Sequence, residues 1–186
     1  MIEQSVPSVL DAGFEEDRLV AETRQNPGAF LGLYDRYLAP IYRYLACRVG
    51  DPRDAEDLTA QVFLTAFERF AQYRSQGKFA AWLFTIARNK SIDFFRTHRR
   101  EQPLETIPIY KTGIVQGSAR QAETQAILDI IAGFSPEERE LLDLRFAAEM
   151  SFREIAGLLH RTESAVKKQV YRLLARIKKE LEDTHE

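Results

Sequence analysis

The sequence predicts an all-α fold of two small helical domains joined by a flexible linker, on three observations. Apolar residues recur at helical spacing through most of the chain, no segment shows the period-two alternation of a half-buried strand, and helix-starting signatures stand before the periodic runs. A chain of 186 residues with 45% hydrophobic content is too apolar for a disordered tail, and it can build one sizeable core or two small ones.

Phe30, Leu33, Tyr34, Tyr37, Leu38, Ile41, Tyr42 and Leu45 follow the i, i+3, i+4, i+7 rule and predict an amphipathic helix with an aromatic face, stopped at Gly50. Asp51 followed by Pro52 reads as an N-cap with proline in the first turn. It opens a second helix with apolar positions Ala55, Leu58, Val62, Phe63, Ala66, Phe67 and Phe70. The polar stretch 72–78, with Gly77, predicts a loop. Phe79, Trp82, Leu83, Ile86 and Ala87 then resume helical spacing into a basic end at Arg100. These elements make a first domain over 29–100. Pro103, Pro108, Gly113 and Gly117 break any periodicity across 101–120, which reads as the linker.

The second domain, 121–186, opens its helices with two capping boxes, Ser135 with Glu138 and Ser151 with Glu154, in which the serine hydroxyl accepts from the third helical amide and the glutamate reaches back. A helix ending near Leu159, a turn at His160 and Arg161, and a last helix capped by Thr162 have the length and breaks of a helix-turn-helix. Val166, Val170, Leu173, Leu174, Ile177 and Leu181 form the expected buried stripe of that last helix. Arg161, Ser164, Lys167, Lys168, Tyr171 and Arg172 are then left to meet DNA, where Lys and Arg can donate to guanine edges or neutralise phosphates. Such turns often use glycine for a left-handed residue; here His160 or Arg161 must serve.

Charge sharpens this reading. The chain carries a formal charge of only −2, which removes the simplest signature of a nucleic-acid binder, yet the charges fall in blocks. Residues 1–70 hold 7 basic and 12 acidic side chains, 71–100 hold 7 and 1, 101–150 hold 4 and 9, and 151–179 hold 8 and 2, before an acidic tail. Two basic helices alternate with two acidic stretches, so near-neutrality is cancellation.

Two constellations, in this order along the chain, resemble the bacterial extracytoplasmic-function group of alternative sigma factors, and the resemblance spans most of the chain. The run Asp54-Ala55-Glu56-Asp57-Leu58-Thr59 through Val62-Phe63-Leu64 is similar to the family segment that docks on the clamp helices of the largest RNA polymerase subunit. The resemblance implies core-binding roles for Asp54, Glu56, Asp57, Gln61 and Phe63. Ala60-Gln61 stands where the family usually has Gln-Glu. Tyr73-Arg74-Ser75 through Phe79-Ala80-Ala81-Trp82-Leu83-Phe84-Thr85-Ile86-Ala87-Arg88-Asn89 resembles the segment that recognises and melts the minus-ten promoter element.

Melting requires bases captured after they leave the stack and cations along the backbone. Tyr73, Arg74, Ser75, Gln76, Gly77 and Lys78 are accordingly expected to hold a flipped base, and Arg88, Asn89, Lys90, Arg96, Arg99 and Arg100 to line the DNA path. Phe134-Ser135-Pro136 with Glu138 and Arg139, Ser151 to Ala156, and Val166-Lys167 resemble the module that reads the minus-thirty-five element, with Ser164-Ala165-Val166-Lys167-Lys168-Gln169 departing from the common Gly-Thr-Val-Lys-Ser-Arg start. By the same resemblance the partners are core polymerase, through the clamp helices and the flap of the second largest subunit, promoter DNA, and an anti-sigma factor.

Other chemistries fit less well. The single Cys47 and three scattered histidines give no disulfide and no metal-ligand spacing, so neither metal nor cofactor is expected; Cys47 reads as a small buried hydrophobe. No nucleophile–base pair or phosphate-binding glycine loop supports a hydrolase, and enzymatic activity is not expected. A stand-alone repressor with the same helix-turn-helix would leave the 73–89 run without a purpose, and a structural adaptor would not need two basic helices on separate domains. The absence of a 20-residue apolar run and the acidic start at Glu3, Asp11, Glu15 and Glu16 predict a cytoplasmic protein with no membrane insertion. Residues 1–28 have no counterpart in the resemblance and are expected to be a disordered lead or a docking segment for a regulator. Trp82 is expected to be buried.

Overall fold

The computed structural model describes residues 9–74, 79–98 and 118–184. Eight α-helices make up the described residues, with no strand among them: α1 Val9–Gln25, α2 Phe30–Val49, α3 Pro52–Arg69, α4 Phe79–His98, α5 Ser118–Ala132, α6 Pro136–Leu142, α7 Phe152–Leu158 and α8 Glu163–Thr184. Short 3₁₀ turns at Pro27–Ala29 and Phe70–Gln72 and a π turn at Asp143–Ala147 complete them.

The helices begin and end where their local chemistry dictates. Gly50 takes φ 86 at the end of α2, a conformation costly for any residue with a Cβ. Asp51 then accepts from the amides of Arg53 at 2.8 Å and Asp54 at 3.3 Å, satisfying two of the first-turn donors of α3. Both serine capping boxes close as the sequence predicts, Ser135–Glu138 at the head of α6 and Ser151–Glu154 at the head of α7. Helices of seven residues are too short to persist on their own, so these caps and tertiary packing together hold them.

The N-terminal unit packs α2 against α3 and α4 around Leu33, Ile41, Leu45, Val62, Ala66, Phe79, Leu83 and Phe84. Ring contacts run through it: Tyr34–Phe63 at 4.7 Å, Tyr37–Phe79 at 5.6 Å and Tyr44–Phe84 at 5.5 Å. Three sequence expectations change here. Phe67, assigned to the buried stripe of α3, is half exposed at its edge, its ring edge-on to Phe30. Trp82 is half-buried rather than buried, its ring 4.9 Å from Tyr73 and 5.5 Å from Phe79. Cys47 is likewise only half-buried.

Residues 9–25, left without a place by the sequence, form α1, which packs along α2. Its contact surface explains why periodicity did not reveal it: among its described side chains Glu16 and Thr23 are buried alongside Val20, so polar residues share the inward face. The Glu16 carboxylate accepts from the Tyr37 hydroxyl and, at 3.2 Å, from the Phe79 amide. Thr23 returns its hydroxyl to the Leu19 carbonyl.

The C-terminal unit gathers Leu141, Leu144, Ile155, Val166, Val170 and Leu173 into its core. His160 supplies the left-handed residue of the helix-turn-helix, at φ 53, and the Arg161 amide bonds back to the Ala156 carbonyl at 2.9 Å. Thr162 caps α8 through the Ala165 amide at 3.3 Å. Leu174, placed on the buried stripe by its spacing, is instead at the exposed margin of α8, and Leu181 is half-buried.

The two units touch. The π turn lies on α2, and α7 lies on α4. Tyr44, off the predicted apolar stripe of α2, is fully buried, packed on Phe84 and turned with its hydroxyl towards Glu140 at this junction.

Candidate nucleic-acid and protein interfaces

On α3, the first-turn cap and the buried stripe Ala55, Leu58, Val62 and Ala66 turn the opposite face outward. Glu56, Asp57 and Gln61 are exposed there and Asp54 is half-buried, while Phe63 is buried against Tyr34 and shapes the helix from beneath. Beside these carboxylates, Leu64 and Phe67 are exposed at 59% and 50%. An acidic rim around two exposed apolar side chains is the composition of a protein-docking surface. Leu64 was missed by reasoning from the stripe, although an apolar residue outside the buried arc is itself a readable signal.

Following α3, the 3₁₀ turn delivers Tyr73 and Arg74. Tyr73 is buried among Phe70, Phe79 and Trp82, so its ring is part of the aromatic base on which the segment stands; Arg74 is exposed. Ser75, Gln76, Gly77 and Lys78 lie outside the described residues, as do Arg99 and Arg100. The two backbone points flanking that stretch are both held by α1: Arg24 donates to the Tyr73 carbonyl at 2.8 Å, and Glu16 accepts from the Phe79 amide.

Phe79 and Phe84 are buried, which leaves Thr85, Asn89, Asp93 and Arg96 of α4 to face outward while Ser91 is buried. Asn89 and Arg96 are exposed and Lys90 is half-buried; Arg96 pairs with Asp93 at 3.1 Å. Arg88 differs from its neighbours. Its Nε lies 2.8 Å from Oε1 of Glu140 in the C-terminal unit, and this bond, reinforced by the glutamate charge, holds the guanidinium even more firmly protonated than usual.

On α8 the geometry follows the sequence closely. Val166, Val170 and Leu173 point into the core. Ser164, Lys167, Lys168, Tyr171 and Arg172 are exposed along the first three turns, with Arg161 exposed in the turn before them. The Lys167 ammonium sits 5.9 Å from the Tyr171 ring centroid, and Phe152 of α7 lies 6.1 Å from the same ring. The result is a cationic comb on the leading face of a helix whose other side is buried, the form that enters a major groove. Among the described residues no cluster of side chains could hold a metal ion, and no helix is long and apolar enough to cross a membrane.

A helical unit with a basic last helix, followed by a capped helix-turn-helix unit, defines a two-module DNA-binding protein of the sigma type. Residues 33–101 match the Sigma-70 region 2 family and residues 124–177 match Sigma-70 region 4. The chain is 30% identical over 149 residues to the ECF RNA polymerase sigma factor SigM of Bacillus subtilis, covering 78% of this chain and 91% of SigM. It is 35% identical over 161 residues to the ECF RNA polymerase sigma factor BldN of Streptomyces coelicolor, covering 83% of this chain and 61% of BldN. The fold resembles that of the sigma factor RpoE from Bartonella quintana, solved in complex with the anti-sigma factor NepR, with a TM-score of 0.59 at 20% identity over 82% of this chain and 96% of that one. The chain belongs to the ECF group of alternative RNA polymerase sigma factors.

Proposed function

We propose that this sigma factor divides its work among three surfaces: α3 docks on core polymerase, the 73–78 segment with α4 captures and melts the minus-ten element, and the α8 comb reads the minus-thirty-five element. The observation that carries the reading is the pair of basic helix faces on separate units, each backed by its own buried apolar stripe. Two separated promoter elements need two such faces. An acidic surface with exposed Leu64 and Phe67 suits the basic clamp helices of the polymerase largest subunit, and the C-terminal unit would meet the flap of the second largest. Glu56, Asp57, Gln61, Leu64 and Phe67 would make direct contact, with Asp54 at the rim and Phe63 supporting them. Arg74, Asn89, Lys90 and Arg96 would contact DNA directly, together with Ser75, Gln76, Gly77, Lys78, Arg99 and Arg100, whereas Tyr73 would act by packing.

The protein would work in the cytoplasm as a regulator rather than an enzyme, restrained by an anti-sigma factor of the kind named in the complex of its structural neighbour. The test is transcription in vitro with core polymerase and a promoter library. Formation of a holoenzyme that opens a defined set of promoters is expected. Failure to bind core, or a holoenzyme that opens none, overturns the reading.

A further inference from the structure

Among the described residues, a set of polar contacts between the two units runs from donors on the N-terminal unit to oxygens on the C-terminal one. Arg43 donates through Nε to the Ala147 carbonyl at 2.7 Å and pairs through Nη2 with Glu149 at 2.9 Å. Glu140, buried at 7% exposure, receives Arg88 Nε at 2.8 Å, the Tyr44 hydroxyl at 3.2 Å and Arg48 Nη1 at 3.5 Å. Arg48 is itself braced on Ser91 Oγ at 2.9 Å, and Asp143, also buried, adds a further negative charge beside Tyr44.

Three guanidiniums from two helices thus converge on a row of carboxylate and carbonyl oxygens. A buried pair of this kind contributes little net stability over an apolar contact, but removing one partner strands the other. What it supplies is reversibility and selectivity for oxyanions, since guanidinium binds carboxylate and phosphate through the same fork geometry.

We propose that Arg43, Arg48 and Arg88 form a phosphate-binding surface for promoter DNA, and that Glu140, Glu149 and the π turn of the C-terminal unit occupy it as a phosphate mimic in the free protein. The inference rests on the reading that α4 faces promoter DNA, and it extends that face onto α2 through Arg43 and Arg48. Promoter contact and the closed arrangement then exclude each other, because the same guanidiniums serve both. The chain from His98 to Ser118 can reach roughly 60 Å when extended, ample for the units to part.

The test uses the full chain, a labelled 30-base-pair duplex of random sequence as probe, and a salt titration. Glu140→Lys places a cation against Arg48 and Arg88, so small-angle scattering should show a larger radius of gyration. Affinity for the duplex at low salt should rise by about fivefold or more, as roughly one to three phosphate contacts become available. In that background Arg43→Ala and Arg48→Ala should each reduce the slope of log affinity against log salt by about 1. A Glu140→Lys protein that stays compact overturns the mimicry. One that opens without gaining affinity, or whose salt slope is indifferent to both arginines, overturns the surface. Transcription by the wild-type holoenzyme is scored separately: its success with failure here leaves the sigma reading intact and removes only this inference.

Discussion

Replacing Ile155 by Ala should uncouple the two halves of the protein. Ile155 is fully buried on α7, which packs on α8, and it shares one apolar cluster with Val166, Val170 and Leu173 of that helix. The change deletes three carbons, about 2.4 kcal/mol at about 0.8 kcal/mol each, and leaves a cavity whose added cost brings the total to about 3–4 kcal/mol. A unit of this size has on the order of 3–9 kcal/mol to lose. Urea unfolding separates the consequences, because the only tryptophan, Trp82, sits in the N-terminal unit, whereas far-ultraviolet circular dichroism reads both. The dichroism curve should gain an early phase while the Trp82 fluorescence midpoint moves little, and affinity for a minus-thirty-five duplex should fall more than affinity for core polymerase. An unshifted dichroism curve, or a loss below about 1 kcal/mol, would show that Ile155 does not hold the recognition helix in place.

Glu16→Gln should raise stability at neutral pH. Burial holds the Glu16 carboxyl above its ordinary value of 4.5, so its favourable contribution is complete below that pH and is lost as pH rises through the raised value. The variant's advantage over wild type in thermal melts should therefore be absent at acid pH and grow above about 4.5; an advantage independent of pH would assign it to packing instead. Lys168→Ala and Arg172→Ala should each weaken minus-thirty-five binding by about 1–3 kcal/mol if the side chain reads a base, measured by duplex competition with core affinity unchanged. Equal losses on all sequences would mark them as phosphate contacts.

Local signals were legible wherever a residue's own neighbours decide its conformation. Asp51-Pro52, the two serine capping boxes and the Val166, Val170, Leu173 stripe all act within one or two turns, and each forms as its spacing dictates. The left-handed residue demanded by the helix-turn-helix was also readable, narrowed to two candidates of which His160 is the one used. What escaped depends on contacts remote in sequence. Helix α1 buries Glu16 and Thr23 because Tyr37 and Phe79, far along the chain, supply the partner for one of them. Tyr44 lies off its helix's apolar stripe, and its burial between Phe84 and Glu140 depends on partners from α4 and from the second unit. Phe67 and Leu174 have core spacing but sit at helix edges that their neighbours cover only in part, something periodicity alone does not register. Arg88 carries a similar ambiguity in charge: its place on a basic helix reads as a DNA contact, and nothing on its own helix announces the Glu140 carboxylate that it meets from the second unit.

The docking of α1 also decides where this protein can be cut. The region 2 match begins at residue 33, and a fragment started there would look complete by family boundaries. It would discard the carboxylate that receives the Tyr37 hydroxyl and the Phe79 amide, and the guanidinium that holds the Tyr73 carbonyl. Such a fragment would retain every residue assigned to polymerase or DNA yet begin with an uncovered aromatic core and two loosened anchor points. A dissection of the N-terminal unit should therefore start before Val9, and a shorter fragment that binds core but opens no promoter would trace its defect to the missing helix rather than to the DNA-contacting residues.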